Sequence, residues 1–186
     1  MPDMEMKTEA EQVIMKHSCI NGALMLVPIP LAPEIGVIAN QAAMYANLTN
    51  VAGVKFSAHL IRHIGMFLAS QMAGMGVVLA ADAALKFIPG INFIAGFATA
   101  PLAGVGNYVC GKVYFNMLDK FVAHGGANMS EIEAENWFKS NVPSKDVWKA
   151  LEGEAKKRMK DVNYEQYKNE ATNVANAAKR NSDDYE

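Results

Sequence analysis

Apolar residues recur at helical spacing along most of the chain, and four long stretches, 18–33, 35–54, 64–81 and 87–111, carry no charged side chain. That pattern predicts an all-α protein. A first helix opens at Thr8, which serves as its cap, with Glu9 and Glu11 where the helix dipole favours acids. Its apolar positions are Val13, Ile14, Ile20, Ala23 and Leu24. Pro28, Pro30 and Pro33 end it, since each lacks an N–H donor and pushes the residue before it out of the α region. Pro33 suits the opening of a second helix over about 34–50. Ser57 caps a third, through 59–87, which Ile88-Pro89-Gly90 closes; a fourth runs over about 92–122 with a kink at Pro101.

Small residues return every fourth position in the third and fourth helices, at Gly65, Ala69 and Ala73 in one and at Gly96, Ala100 and Gly104 in the other. Such spacing lets backbones approach closely, so these six are the expected helix-packing and self-association residues. Gln41 joins them as the amide expected to hydrogen-bond across a helix interface, because leaving it unpaired costs about 1–3 kcal/mol. The resulting architecture is two packed helical hairpins built from about four long apolar helices, and a homo-oligomer is expected.

Charge changes this picture after Gly126. Residues 1–126 form an apolar helical domain, whereas 127–186 carry most of the charged residues and read as a helical tail. Ser130 and Glu133 make a capping box for a short helix with Trp137 and Phe138, and Asn141-Val142-Pro143-Ser144 breaks it. One long final helix follows from Lys145, with a thin seam through Leu151, Ala155, Met159, Tyr167 and Ala171. The seam favours a solvated amphipathic helix over one that zips onto a partner.

The uncharged runs approach or pass the length needed to span a bilayer. Glu34, Asp82 and Lys86 fall at the hairpin tips, and Lys16, Lys55, Arg62, Lys112 and Lys120 at the open ends, an arrangement that matches cytoplasmic entry. Asn40, Gln41, Asn47 and Asn50 must face other helices in that setting. The N-terminus MPDMEMKTEAEQ is acidic where an export signal is basic and then apolar, which predicts a cytoplasmic or cytoplasm-facing chain. Membrane lipid is therefore an expected partner. Nucleic acid is not, given a net charge of −2 and no basic stretch interleaved with aromatics.

Candidate chemistry is sparse. Residues 106–113, GNYVCGKV, follow a phosphate-binding loop until the last position, where Val113 offers no hydroxyl to a magnesium ion and a continuing helix fits better. His59 and His63 stand one turn apart, but no glutamate lies between them and Arg62 does. Asp82 and Lys86 pair at i, i+4 and read as a solvated turn. Cys19 and Cys110 read as buried, unreactive side chains in a reducing compartment. The expectation is a protein with no catalytic residues, no cofactor and no metal site.

LVPIP at 26–30, Gln41, KFIPGI at 86–91, NYVCGKVY at 107–114 and Gly125-Gly126 together resemble the bacterial domain-of-unknown-function family 697 over roughly 13–126. The resemblance implies a helical fold, a link to GTPases and association with the inner membrane. This chain carries no GTPase domain of its own, so a separate GTPase would act in trans, and Asn92 stands where the family continues with glycine. Two functions follow as expectations. The first is a non-enzymatic, membrane-associated, self-assembling helical scaffold on the cytoplasmic face of the bacterial inner membrane. The second is a soluble, cytoplasmic adaptor or regulatory subunit for a separate GTPase or enzyme.

Overall fold

The computed structural model describes residues 4–28, 32–74 and 96–183, with side chains over 4–28, 35–72 and 100–180. Seven α-helices make up the described part: α1 (Met4–Leu24), α2 (Ala32–Val51), α3 (Ala58–Gly74), α4 (Gly96–Ala123), α5 (Glu131–Ser140), α6 (Lys145–Met159) and α7 (Lys168–Asp183). Single 3-10 turns, Gly126–Asn128 and Tyr164–Tyr167, precede α5 and α7. The all-α reading holds. The Asp82–Lys86 pair, the Ile88-Pro89-Gly90 turn and the far end of the expected third helix lie outside the described residues.

Local chemistry sets several of the helix ends. Ser57 Oγ accepts from the Leu60 N–H at 3.2 Å and so starts α3. Ser130 and Glu133 form the complete capping box at α5. Gly125, at φ 81°, takes the left-handed turn after α4 that other residues adopt at a cost. Thr8 does not cap α1, however. The helix begins at Met4, and the Thr8 hydroxyl donates back to the Met4 carbonyl at 2.8 Å from inside it.

α1 is the centre of the molecule. Every residue from His17 to Leu24 is buried, because α2, α4, α7 and Tyr164 surround this half of the helix. α4 lies along α1 and also receives α6. Glycines set the closest approaches: a Cβ at Gly111 would stand 3.0 Å from Ile14 Cγ1, and one at Gly36 would stand 2.7 Å from Leu24 Cδ2. At the far end Phe56, Tyr114, Phe121, Trp137 and Phe138 form a ring cluster, with Phe56 and Phe121 edge to face at 5.5 Å between centroids.

The segment after Gly126 packs on the apolar helices. Trp148, Ala155 and Met159 of α6 and Ala171 and Ala175 of α7 are buried in the same clusters as α1, α2 and α4. The single helix expected from Lys145 is two. The break at 160–163 lets Tyr164 turn inward, where its ring lies against Gly22 and its hydroxyl donates to the Met159 carbonyl at 3.1 Å. Asn163 Oδ1 accepts from the Glu165 N–H and starts the turn.

Candidate functional site

The small residues expected to face one another across α3 and α4 close on other partners. A Cβ at Gly65 would stand 2.6 Å from the Tyr45 ring of α2. One at Gly104 would stand 3.0 Å from the Tyr164 hydroxyl, 3.1 Å from Met159 Sδ and 3.2 Å from the Ser18 carbonyl. The Ala100 carbonyl faces Gly22 of α1, and Ala69 is half-buried on α3. Ala73 and Gly96 are helical, with side-chain surroundings outside the described residues. Gln41 donates from Nε2 to the Tyr45 hydroxyl at 3.0 Å, one turn along its own helix, and its side chain also hydrogen-bonds Cys110 of α4.

The neighbour of Gln41 reaches the first helix. Asn40 is 2 % exposed, and its Nδ2 donates both to the His17 carbonyl at 2.8 Å and to Asn21 Oδ1. Those two bonds fix the orientation of the amide, so Oδ1 faces His17 Nδ1 at 2.7 Å and the ring carries its hydrogen there. Nε2 of the same ring then accepts from Asn47 Nδ2 at 3.1 Å. A neutral histidine is thereby locked between α1 and α2. Burial pushes its pKa below the usual 6.5, and Lys16 adds to the shift, against the pull of Asn40 and Glu170.

The sign of the linkage follows. The unfolded chain binds a proton at His17 more readily than the folded one, so this contribution to stability is present above pH 6.5 and is lost as pH falls below it. We expect the urea midpoint to fall between neutral pH and mildly acidic pH, and His17→Gln to flatten that dependence. A wild-type midpoint independent of pH in this range would contradict the locked tautomer.

A second polar cluster joins α1, α4 and α6. The Tyr108 hydroxyl, with one hydrogen to give, lies 2.7 Å from both Glu11 Oε1 and Glu154 Oε1. Lys112 Nζ reaches Glu11 Oε2 at 2.9 Å, and Arg158 bridges Glu11 at 3.0 Å and Glu154 at 3.2 Å. Burial pushes the Glu11 carboxyl up, but Tyr108, Lys112 and Arg158 outweigh it and hold the group below its usual value. Burial and the two carboxylates push the Tyr108 phenol far above its own. Two carboxylates and two cations cancel here, which makes the cluster a clamp between helices.

The remaining candidates fall into place around these clusters. Residues 106–113 are interior to α4, and Lys112 is engaged by Glu11. His59 and His63 have ring centroids 4.0 Å apart, with Glu135 Oε1 at 3.6 Å from His63 Nδ1. Among the described residues no group of three or more His, Cys, Asp or Glu is arranged to hold a metal ion. Both cysteines are free and buried, and burial pushes the Cys110 thiol up to about 12. A cleft of about 260 Å³ lies between the α2–α3 connection and the start of α5, lined by Val54, Lys55, Phe56, Met129 and Glu131.

Among the described residues no helix is long and apolar enough to cross a membrane. Polar groups interrupt the candidates: Asn40, Gln41 and Asn47 in α2, and Lys112, Asp119 and Lys120 in α4. Lys16 and Lys112, expected as flanking cations, are held by Glu170 and Glu11.

Part of this chain resembles a magnetosome membrane protein. Over 107 residues it is 32% identical to Magnetosome membrane protein 22 of Magnetospirillum gryphiswaldense, a match covering 56% of this chain and 55% of that protein. The chain thus spans about half the length of the curated relative it matches. No family model matches the chain, and no solved structure does.

Proposed function

We propose that the protein is a non-enzymatic, membrane-associated helical scaffold that self-assembles, facing the cytoplasm. The likeness to Magnetosome membrane protein 22 over 107 residues carries the membrane part of this reading. The low charge of the sequence between 64 and 111, where Asp82 and Lys86 are the only charged residues, supports it. The non-enzymatic part draws on the state of the buried groups. Tyr45, Tyr108, Tyr114 and Cys110 are all pushed toward their neutral forms by burial first, the opposite of what activates a nucleophile.

Self-assembly draws on the outer faces of α2 and α3. Ile38 is 58% exposed and Met66 66%, and Ala42 and Ala43 add exposed small side chains to the face of α2. Side chains of this kind, uncommitted to the core of one chain, suit the close approach of a second copy.

Fractionation of cells at low ionic strength tests the membrane reading, and light scattering of the extracted protein tests assembly. The expected results are sedimentation with membranes and a mass of at least two chains. Recovery in the soluble fraction under these conditions would overturn membrane association, and a monomer at all concentrations would overturn the scaffold.

A further inference from the structure

α6 presents opposite chemistry on two sides. Trp148, Ala155 and Met159 are buried against the core and hold the helix in place. Lys145, Lys149, Lys156 and Lys160 are all exposed. At 100° per residue these four fall within a sector of about 60° and form a stripe about 22 Å long. Lys160 continues the helical backbone at φ −59°, so it keeps this register.

Ion pairing accounts for little of the stripe. Lys156 holds Glu152 at 2.7 Å, while Lys145, Lys149 and Lys160 make no ion pair among the described residues. Glu154 is turned to Arg158, which leaves Asp146 as the exposed acid beside the stripe within the helix. Helix stability accounts for Lys156 near the C-terminal end, where the dipole favours cations. It does not account for Lys145 in the first turn, where the dipole opposes a cation.

We propose that this lysine stripe is the surface by which the protein docks on an anionic lipid headgroup layer. The inference rests on the membrane-associated reading above and names the part of the chain that meets the bilayer. A rigid straight row of cations fits a flat sheet of negative headgroups, and each lysine near such a surface adds to binding until salt screens it. The aromatic side chain of this helix, Trp148, is buried, so the stripe offers no stacking platform for nucleic acid bases.

The test is cosedimentation of the full chain with phosphatidylcholine vesicles, with and without one-third phosphatidylglycerol. The expected result is binding that needs the anionic lipid and weakens steeply with salt. The variant K145Q/K149Q/K156Q/K160Q should lose about a hundredfold in affinity, with an unchanged circular dichroism spectrum. The control K7Q/K55Q/R62Q/K120Q, which removes as much charge from other exposed positions, should lose less than about tenfold. If the stripe variant does not fold, K145Q/K149Q carries the test with a loss of about tenfold. Undiminished vesicle binding by the stripe variant, or an equal loss in the control, overturns the inference and leaves membrane association standing. Failure of the wild-type chain to bind either vesicle, with recovery in the soluble cell fraction, overturns both. Binding to duplex DNA or RNA with the same lysine dependence, and none to vesicles, also overturns the lipid surface.

Discussion

Trp148→Ala is expected to lower the free energy of unfolding by about 4 kcal/mol and the thermal midpoint by roughly 8–16 °C. The indole is fully buried in the main apolar cluster, and its Nε1–H donates to the Pro143 carbonyl at 3.2 Å. Truncation therefore removes a large apolar surface, leaves a cavity and abandons a hydrogen bond. Urea unfolding monitored by circular dichroism reads this as a lower midpoint with an unchanged slope. A loss below about 1 kcal/mol would mean that α6 contributes little to the common core.

The second large effect comes from adding a single methyl group. Gly22 faces the Tyr164 ring, and a Cβ there would stand 2.9 Å from the Ala100 carbonyl. The tyrosine can swing away only by giving up its place between α1 and α4, and the carbonyl belongs to a helix backbone that cannot yield locally. Gly22→Ala is expected to cost about 3 kcal/mol, although alanine is the better helix former. Gly153→Ala in α6 supplies the contrast, since a Cβ there meets nothing within 4 Å. It should raise stability by about 0.5–1 kcal/mol. Equal effects from the two substitutions would show that close packing at position 22 does not govern the result.

The fold class was legible because helix signals are local. The Ser57 cap and the Ser130–Glu133 box act within a few residues of themselves, and the structure places helix starts at them, whereas Pro101 lies inside α4. What stayed hidden depends on distant partners. His17 and Asn40 are 23 residues apart in sequence, and His17 sits in a half-helix buried on every side, so no polar face marks it. Asn40 and Gln41 are adjacent amides, and the pattern of α2 does not say that Asn40 bonds to α1 while Gln41 bonds to Tyr45 and Cys110. The apolar seam of the last segment runs through 160–163 without a change of period. The break there follows from the place Tyr164 takes against Gly22 and Gly104, which no local pattern contains.

That placement of Tyr164 also orders events during synthesis. The ring that fills the slot between the first and fourth helices comes from a residue translated well after both of them. A nascent chain that has emerged only as far as Met159 therefore exposes a glycine-floored groove beside the most enclosed part of the molecule. Closure of the groove waits until Tyr164 has left the ribosome, and until then the groove is open to chaperones and to neighbouring chains.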